Sequence, residues 1–375
     1  MKIAIYQPRA SYYVGGAEIV ALEQAAFLAN RGHQVTLIVT QALFITKGEY
    51  FRNFCRQNPL VLIKFIKIPK QLKWIYQEKP GSNWMRWDLE SLHLTHTASN
   101  YFFSQKFDVV AVHNVLDVLS VPSTQKIVLH LHGYPSKINY MHQLCFTLPK
   151  VFIADSQYIK HKWSQMIKFS NCSVATNGVR SDYFIPRPQI KHCYDALYLG
   201  RLVPVKGIEY FIEAVRLLKK SIPKIKIAIA GEGPEKNNLM ALVGKLKLDQ
   251  NIKNLGYIRS DNLVQLYNSS KMAVFPSYGR EGILTTMLEA SSCGVPVITT
   301  TACSMHEFLK HRKTGFLVKP KNSRAIALAI KEIYQNEPLR VKLGMNARRE
   351  VLKRWDWKIK IKKIEQIYEK VSTHH

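Results

Sequence analysis

The chain has 375 residues, too many for one hydrophobic core of ordinary size, so two domains are expected. Hydrophobic residues make up 47% and charged residues 21%, a globular balance that excludes a disordered chain. Lys and Arg number 54 against 26 Asp and Glu, and the net charge of +28 implies an anionic partner: nucleic acid, a membrane surface or a phosphate-bearing substrate.

In chain order, the first half alternates short apolar runs with helical stretches. A strand is expected at 2–7, a helix at 17–30 and a strand at 34–40, with further strands at 61–68, 108–112, 126–130, 151–154 and 173–175. Residues 184–194, with Pro186, Pro188 and mixed charge, look like a linker. The pattern then restarts with a strand at 196–199, a helix at 207–220, a strand at 226–230 and a helix at 234–246. Strands follow at 251–255, 272–275, 297–299 and 315–318, and helices from 323 and from near 339 to 371 close the chain. Strands alternating with helices imply parallel sheets covered on both faces. The expected architecture is therefore α/β: two Rossmann-like doubly wound domains, 1–185 and 186–355, facing a central cleft. A C-terminal helix at 356–375 is expected to pack back on the first domain. Ligands of such folds bind at the carboxyl ends of the strands.

The remaining composition narrows the setting. The charge excess is diffuse, with 21 basic and 10 acidic residues in 1–190 and 33 and 16 in 191–375, so no basic tail carries it. Six scattered cysteines without a Cys-x-x-Cys pair argue against a zinc ribbon or redox dithiol and suit a reducing compartment. The apolar start is cut short by Gln7, Pro8 and Arg9, and no run of about 18 apolar residues appears, so a cytoplasmic protein is expected.

Three loops carry chemistry. Gly15-Gly16 lies between the first strand and the first helix, where backbone N–H groups and the helix dipole favour an anion, although a plain tight turn is the commoner reason for a glycine pair. Arg201 and Lys206 follow the first strand of the second half; two fixed cations there can clamp a diphosphate and neutralise the charge that grows as it leaves. In the stretch 276–290, Glu281 lies in a polar loop after a strand and Glu289 within the following helix, expected to begin near Ile283. Carboxylates accept paired hydrogen bonds from vicinal hydroxyls. Glu281 can thus hold a hexose and Glu289 a ribose, and a buried carboxylate at 289 needs a partner.

At this motif the chain resembles the retaining glycosyltransferases of family four, which have the GT-B fold. Their E-x7-E pattern corresponds to Glu281 and Glu289, followed by Gly294-Val295-Pro296-Val297-Ile298. The resemblance covers nearly the whole chain, through Gly15-Gly16, His130-Leu131-His132-Gly133, Asn177-Gly178-Val179, Gly231-Glu232-Gly233-Pro234, Leu255-Gly256-Tyr257-Ile258 and Thr314-Gly315 in the family's order. It implies that Arg201 and Lys206 bind the diphosphate and Glu289 the ribose. Glu281 and the amides of Gly282, Ile283 and Leu284 would hold the donor sugar, and main chain at Tyr257 and Ile258 the base. Gly231 belongs to the same donor site, Gly15 and Gly16 meet the phosphates, and His132 lies by the transferred sugar. Ile283-Leu284 stands where the family often has Phe-Gly, which leaves donor identity open.

The resemblance implies transfer of a sugar from a nucleotide-diphosphate donor with retention of configuration, in bacterial polysaccharide, lipopolysaccharide or glycolipid assembly. No Asp-x-Asp motif and no His/carboxylate cluster suggests a divalent ion, so neither metal nor other cofactor is expected and Arg201, Lys206 and the helix dipole take the metal's part. The segment 44–76 mixes Phe44, Phe51, Phe54 and Trp74 with seven Lys or Arg against Glu49, and suggests contact with an anionic membrane, on the inner face of the cell membrane, and a glycan or lipid-linked acceptor. A sugar-nucleotide epimerase or a phosphorylase shares the fold. A nucleic-acid-binding protein would explain the charge but shows no recognisable binding motif.

Overall fold

The computed structural model describes residues 1–76, 84–135 and 137–373. The chain divides into two compact units, Met1–Asn177 with Trp357–His375, and Gly178–Asp356.

The first unit is built on a parallel sheet of β1 (Lys2–Tyr6), β2 (Gln34–Gln41), β3 (Leu62–Lys67), β4 (Val109–Val112), β5 (Ile127–Leu131), β6 (Val151–Ala154) and β7 (Cys172–Val174). Their order is β3-β2-β1-β4-β5-β6-β7, with Ile5 of β1 level with Leu37 of β2 and Ala111 of β4. Both faces are covered, so Ile3, Ala4, Ile5 and Tyr6 are all fully buried and the strand reads as a continuous apolar run. Helix Gly16–Ala29 covers one face together with the terminal helix Trp357–Thr373. Trp357, Ile361, Ile364 and Tyr368, at helical spacing, enter that core. The terminal helix is also tied down by polar contacts: Arg31 Nη2 lies 2.6 Å from Glu365, His33 2.7 Å from Glu365, and His130 Nε2 2.7 Å from the Tyr368 hydroxyl.

The second unit repeats the plan. Its parallel sheet holds β8 (Ala196–Leu199), β9 (Ile227–Ala230), β10 (Ile252–Gly256), β11 (Ala273–Phe275), β12 (Val297–Thr300) and β13 (Gly315–Val318), ordered β10-β9-β8-β11-β12-β13. In both sheets the strand order reverses beside the first strand, between β1 and β4 and between β8 and β11. Loops leaving those neighbours diverge to opposite faces and open the crevice in which doubly wound folds bind ligands.

Two expectations are corrected. The helix expected from near 339 to 371 is interrupted: Glu337–Glu350 runs through a π-helical turn at Val351–Trp355, Asp356 is extended, and a separate helix begins at Trp357. Asp356 leaves the helix because its carboxylate accepts hydrogen bonds from the backbone and side chain of Ser181, while Val179 N donates to Trp355 O at 2.8 Å. The stretch expected as a linker is fastened into the second unit. Ser292 Oγ donates to Phe184 O at 2.7 Å, and Asn268 both donates to Ile185 O and accepts from Arg187 N.

Gly231 sets how closely the loops after β8 and β9 approach. Its φ is +131°, and a Cβ there would meet Gly200 O at 1.9 Å. Gly231→Ala is expected to cost about 2 kcal/mol or more through strain alone, seen as a melting temperature several degrees below wild type. An unchanged melting curve would show that the two loops separate freely.

Candidate active site

The loops after β8 and β11 bring together three of the expected residues. Lys206 ends the short 3-10 turn Pro204–Lys206, and Gly207 follows at φ +66°, where a Cβ would meet Pro276 O at 2.4 Å. That closeness lets the β11 loop lie against the β8 loop, with Tyr278 N donating to Val205 O at 2.9 Å. Lys206 Nζ then reaches Glu281 Oε1 at 2.6 Å, and Ser277 Oγ donates to Glu281 Oε2 at 2.7 Å. Burial pushes the Glu281 carboxyl up, but the Lys206 ammonium with its hydrogen bond, the Ser277 hydroxyl and the Arg201 charge together hold it below the usual carboxylate range. Arg201 is placed by its own backbone, whose carbonyl accepts from the buried Tyr198 hydroxyl at 2.8 Å. A small pocket beside the ion pair is lined by Tyr198, Leu199, Lys206, Phe275, Ser277, Leu284 and Thr286.

The helix of this motif begins at Thr285, two residues later than expected, with Leu284 as its extended N-cap. Gly282, Ile283 and Leu284 therefore lie in the approach to the helix, Ile283 being buried and Leu284 lining the pocket. Glu289 is in the second turn and buried, where the fully buried Tyr267 donates its hydroxyl to Oε2 at 2.8 Å. This is the partner that a buried carboxylate requires. Burial, then the Glu289 charge, pushes the neighbouring Cys293 thiol up to about 12. Gly231 follows β9; Tyr257 and Ile258 follow β10, Tyr257 being 52% exposed.

Gly15, Gly16 and His132 belong to the first unit. Gly15 is the extended N-cap of helix Gly16–Ala29. A Cβ at Gly15 would lie 2.5 Å from Glu18 Oε2, whereas one at Gly16 would meet nothing within 4 Å. The first-turn Glu18 thus curls back over the loop in the manner of a capping glutamate. The sequence reading did not anticipate that an acid shares this helix end. His132 stands just past β5 and is half-buried, its Nε2 2.9 Å from Nδ1 of His113, the residue after β4. Burial lowers the pKa of His132 to about 4 and holds His113 and His130 well below the usual imidazole value.

Three features were missed by sequence reasoning. His113 joins His130 and His132 in a group whose ligating atoms all lie within 4.8 Å of one another. Tyr267 holds Glu289. The third is a buried ion network: Arg9, 1% exposed, binds Glu90 at 3.0 Å and Asp117 at 3.3 Å, beside a backbone bond to Trp87 O and one to Ser91 Oγ. It holds the segment between β1 and the Gly15-Gly16 loop.

Known proteins match this architecture over nearly its whole length. The family described as Glycosyltransferase Family 4 matches residues 14–183, and Glycosyl transferases group 1 matches 187–350. The chain belongs to this glycosyltransferase family. A phosphatidyl-myo-inositol mannosyltransferase of Mycobacterium leprae is 23% identical over 100% of this chain and 98% of its own. An uncharacterized glycosyltransferase of Methanocaldococcus jannaschii is 32% identical over 46% of this chain and 44% of its own. The capsular polysaccharide biosynthesis glycosyltransferase CapM of Staphylococcus aureus is 28% identical over 58% of this chain and 60% of its own. Among solved structures, Anabaena HepE in complex with UDP-glucose aligns with a TM-score of 0.76 at 20% identity, covering 99% of this chain and 98% of that one. Both units share the GT-B architecture of such glycosyltransferases.

The ion pair makes stability depend on pH with a definite sign. Because the folded Glu281 pKa lies below its unfolded value, the pair contributes fully above the ordinary glutamate pKa of about 4.3 and is lost as pH falls through the lowered one. In Lys206→Met only burial and the weaker partners remain. Stability between pH 5 and pH 7, which the wild type keeps, is then expected to fall with rising pH in thermal melts. Parallel wild-type and variant profiles would mean that the pair is not formed.

Proposed function

We propose that the chain transfers a sugar from a nucleoside diphosphate donor to a hydroxyl acceptor with retention of configuration, in bacterial polysaccharide or glycolipid assembly. One observation carries the reading: Arg201, Lys206 and Glu281 meet at the β8/β11 reversal, with Glu289 buried one helix turn further on. A diphosphate arriving there replaces Glu281 as the partner of Lys206. The freed carboxylate then accepts hydrogen bonds from sugar hydroxyls while Lys206 and Arg201 neutralise the leaving phosphate, a charge that grows in the transition state. Glu289, presented by Tyr267, takes the ribose hydroxyls, and main chain at Tyr257 and Ile258 takes the base. Gly231 leaves room at the phosphates, and the amides of Gly282, Ile283 and Leu284 complete the sugar site. The open space at Gly16 suits a phosphate contact, and His132 serves the transferred sugar. With two cations at the leaving group, the chemistry as proposed needs no metal.

The donor is tested by thermal shift and hydrolysis against UDP-, GDP- and ADP-sugars, with Glu289→Ala and Lys206→Ala alongside. One donor is expected to raise the wild-type melting temperature and to leave both variants unmoved. Stabilisation of the variants equal to wild type would remove these residues from the donor site.

The acceptor reading adds a membrane surface. Within the basic-apolar segment, helix Glu49–Gln57 buries Phe51 and Phe54. What reaches solvent is Arg52, Arg56, Lys67, Lys70 and Lys73 together with Leu60, Leu62 and Trp74, 51–62% exposed in the apolar three. Basic side chains around an exposed tryptophan suit an anionic bilayer, and the phosphatidyl-inositol mannosyltransferase aligned along the whole chain acts on a lipid by name. Among the described residues no helix is long and apolar enough to cross a membrane. Flotation with phosphatidylglycerol vesicles at low salt is expected to carry the protein upward, and a Lys67→Glu, Lys70→Glu, Lys73→Glu triple variant to stay behind. Equal flotation of both would move the contact elsewhere.

A further inference from the structure

The loop after β12 grips the loop that carries Glu281. Thr300 Oγ1 donates to Ser277 O at 2.5 Å, the Cys303 thiol to Gly279 O, and Ser304 Oγ to Glu281 O at 3.4 Å, the weakest of the three. Three buried side chains between the end of β12 and helix Met305–Phe308 thus take alternate carbonyls of the loop that leaves β11.

Cys303 is held there against its own preference. Its φ is +58°, in the left-handed region that a residue with a Cβ keeps only when its surroundings over-determine it. Among the described residues, the other non-glycines with positive φ are Asn171, Lys247, Arg312 and Lys321, all of them exposed, whereas Cys303 is buried. Strain in a buried turn must be offset by what the side chain touches, and here that is main chain on both sides of Arg280. Burial pushes the Cys303 thiol up to about 11, and a hydrogen bond from the Glu281 main chain pulls it partly back. The thiol is therefore protonated at neutral pH: its S–H donates to Gly279 O while its sulfur accepts at Glu281. A contact on each flank fixes the backbone from which the Glu281 side chain departs. Thr300 in turn fixes Ser277, whose hydroxyl donates to Glu281 Oε2 at 2.7 Å.

We propose that Cys303 is a positioning residue for Glu281: from a buried left-handed turn its thiol clamps the main chain at Gly279 and Glu281 and holds the carboxylate where Lys206 meets it. That the held carboxylate serves a donor sugar rests on the function proposed above; the clamp does not.

The test compares Cys303→Gly, Cys303→Ala and Cys303→Ser in the full chain, by hydrogen exchange and thermal melts without ligand. Cys303→Gly removes the thiol but also relieves the left-handed turn, so its melting temperature should lie at or above that of Cys303→Ala. Exchange over residues 277–284 is nevertheless expected to rise about threefold in both, the loss of a thiol hydrogen bond. Cys303→Ser returns a stronger donor and should bring exchange back to the wild-type rate or below it. Among UDP-, GDP- and ADP-sugars, the one that binds the wild type should bind Cys303→Gly about threefold more weakly and recover in Cys303→Ser, while the matching nucleoside diphosphate alone should lose no affinity. Exchange over 277–284 unchanged in Cys303→Gly, or as fast in Cys303→Ser, would overturn the clamp, as would a rise spread over the whole unit, which marks a general loss of stability. A wild-type loop exchanging as fast as exposed backbone would overturn it with no variant needed. Sugar-nucleotide binding unmoved while exchange rises would overturn the positioning role. If no form binds any sugar nucleotide while exchange still follows residue 303, the donor reading fails and the clamp stands.

Discussion

A parallel sheet covered on both faces has no free surface of its own, and that constraint decides where this chain can do chemistry. The inner strands are buried on both faces: Ile3–Tyr6 of β1, and all of β4, β5 and β8. Charged groups gather mainly where the strands end, and doubly wound folds have room for a ligand where neighbouring connections part to opposite faces. Both sheets reverse their order beside the first strand. The candidate residues lie in the loops after β1, β4 and β5 in one unit and after β8, β9, β10 and β11 in the other. The glycines at these exits follow from the same constraint, since loops leaving adjacent strands a few ångströms apart have no space for Cβ atoms. Gly207 against Pro276 O and Gly231 against Gly200 O are the two sharpest cases.

Within that frame the Lys206–Glu281 pair is costly to make and costly to break. Two charges at 12% and 18% side-chain exposure lose much of their hydration, and their attraction repays it only with good geometry and the remaining lone pairs satisfied. Ser277 supplies the second bond to the carboxylate, and Arg201 adds charge without displacing Lys206. Removing one partner leaves a buried charge uncompensated, so opening the pair is costly unless another group takes the vacated place. Under the proposed function, an anion of the ligand does this for Lys206, and the hydroxyls attached to the same ligand do it for Glu281. A nucleoside diphosphate sugar brings both in one molecule, whereas a free phosphate brings only the first.

Most strands were legible because burial on both faces leaves short, nearly pure apolar runs between polar loops, and the second sheet repeats the first. What stayed hidden depends on pairings distant along the chain. Nothing near Glu289 announces Tyr267, 22 residues earlier, and His113 becomes meaningful only when β4 is laid beside β5. The break at Asp356 is invisible to periodicity because Trp355 and Trp357 are both buried and the apolar spacing runs on. Ser181, far upstream, supplies the hydrogen bonds that end the helix. Arg9, which the sequence shows only as part of the end of the first apolar run, is buried beside two carboxylates drawn from elsewhere in the unit.

The two glutamates of the motif, eight residues apart, are held by opposite means, and this bears on what each can bind. Glu281 is matched by an ammonium and stays ionised because that charge outweighs its burial. It becomes available to a ligand only when the cation is drawn away, so its hydrogen bonds are coupled to the arrival of an anion. Glu289 accepts on Oε2 from a neutral donor, the Tyr267 hydroxyl, and its charge is felt by its surroundings, where it helps raise both Tyr267 and Cys293. A tyrosine donating one hydrogen bond orients a carboxylate without cancelling it. Glu289, under the proposed function, accepts the ribose hydroxyls without first losing Tyr267, while Glu281 accepts sugar hydroxyls only once Lys206 is drawn away. Under the proposed function, the ribose end of a donor can be recognised before the diphosphate settles, and the sugar end only afterwards.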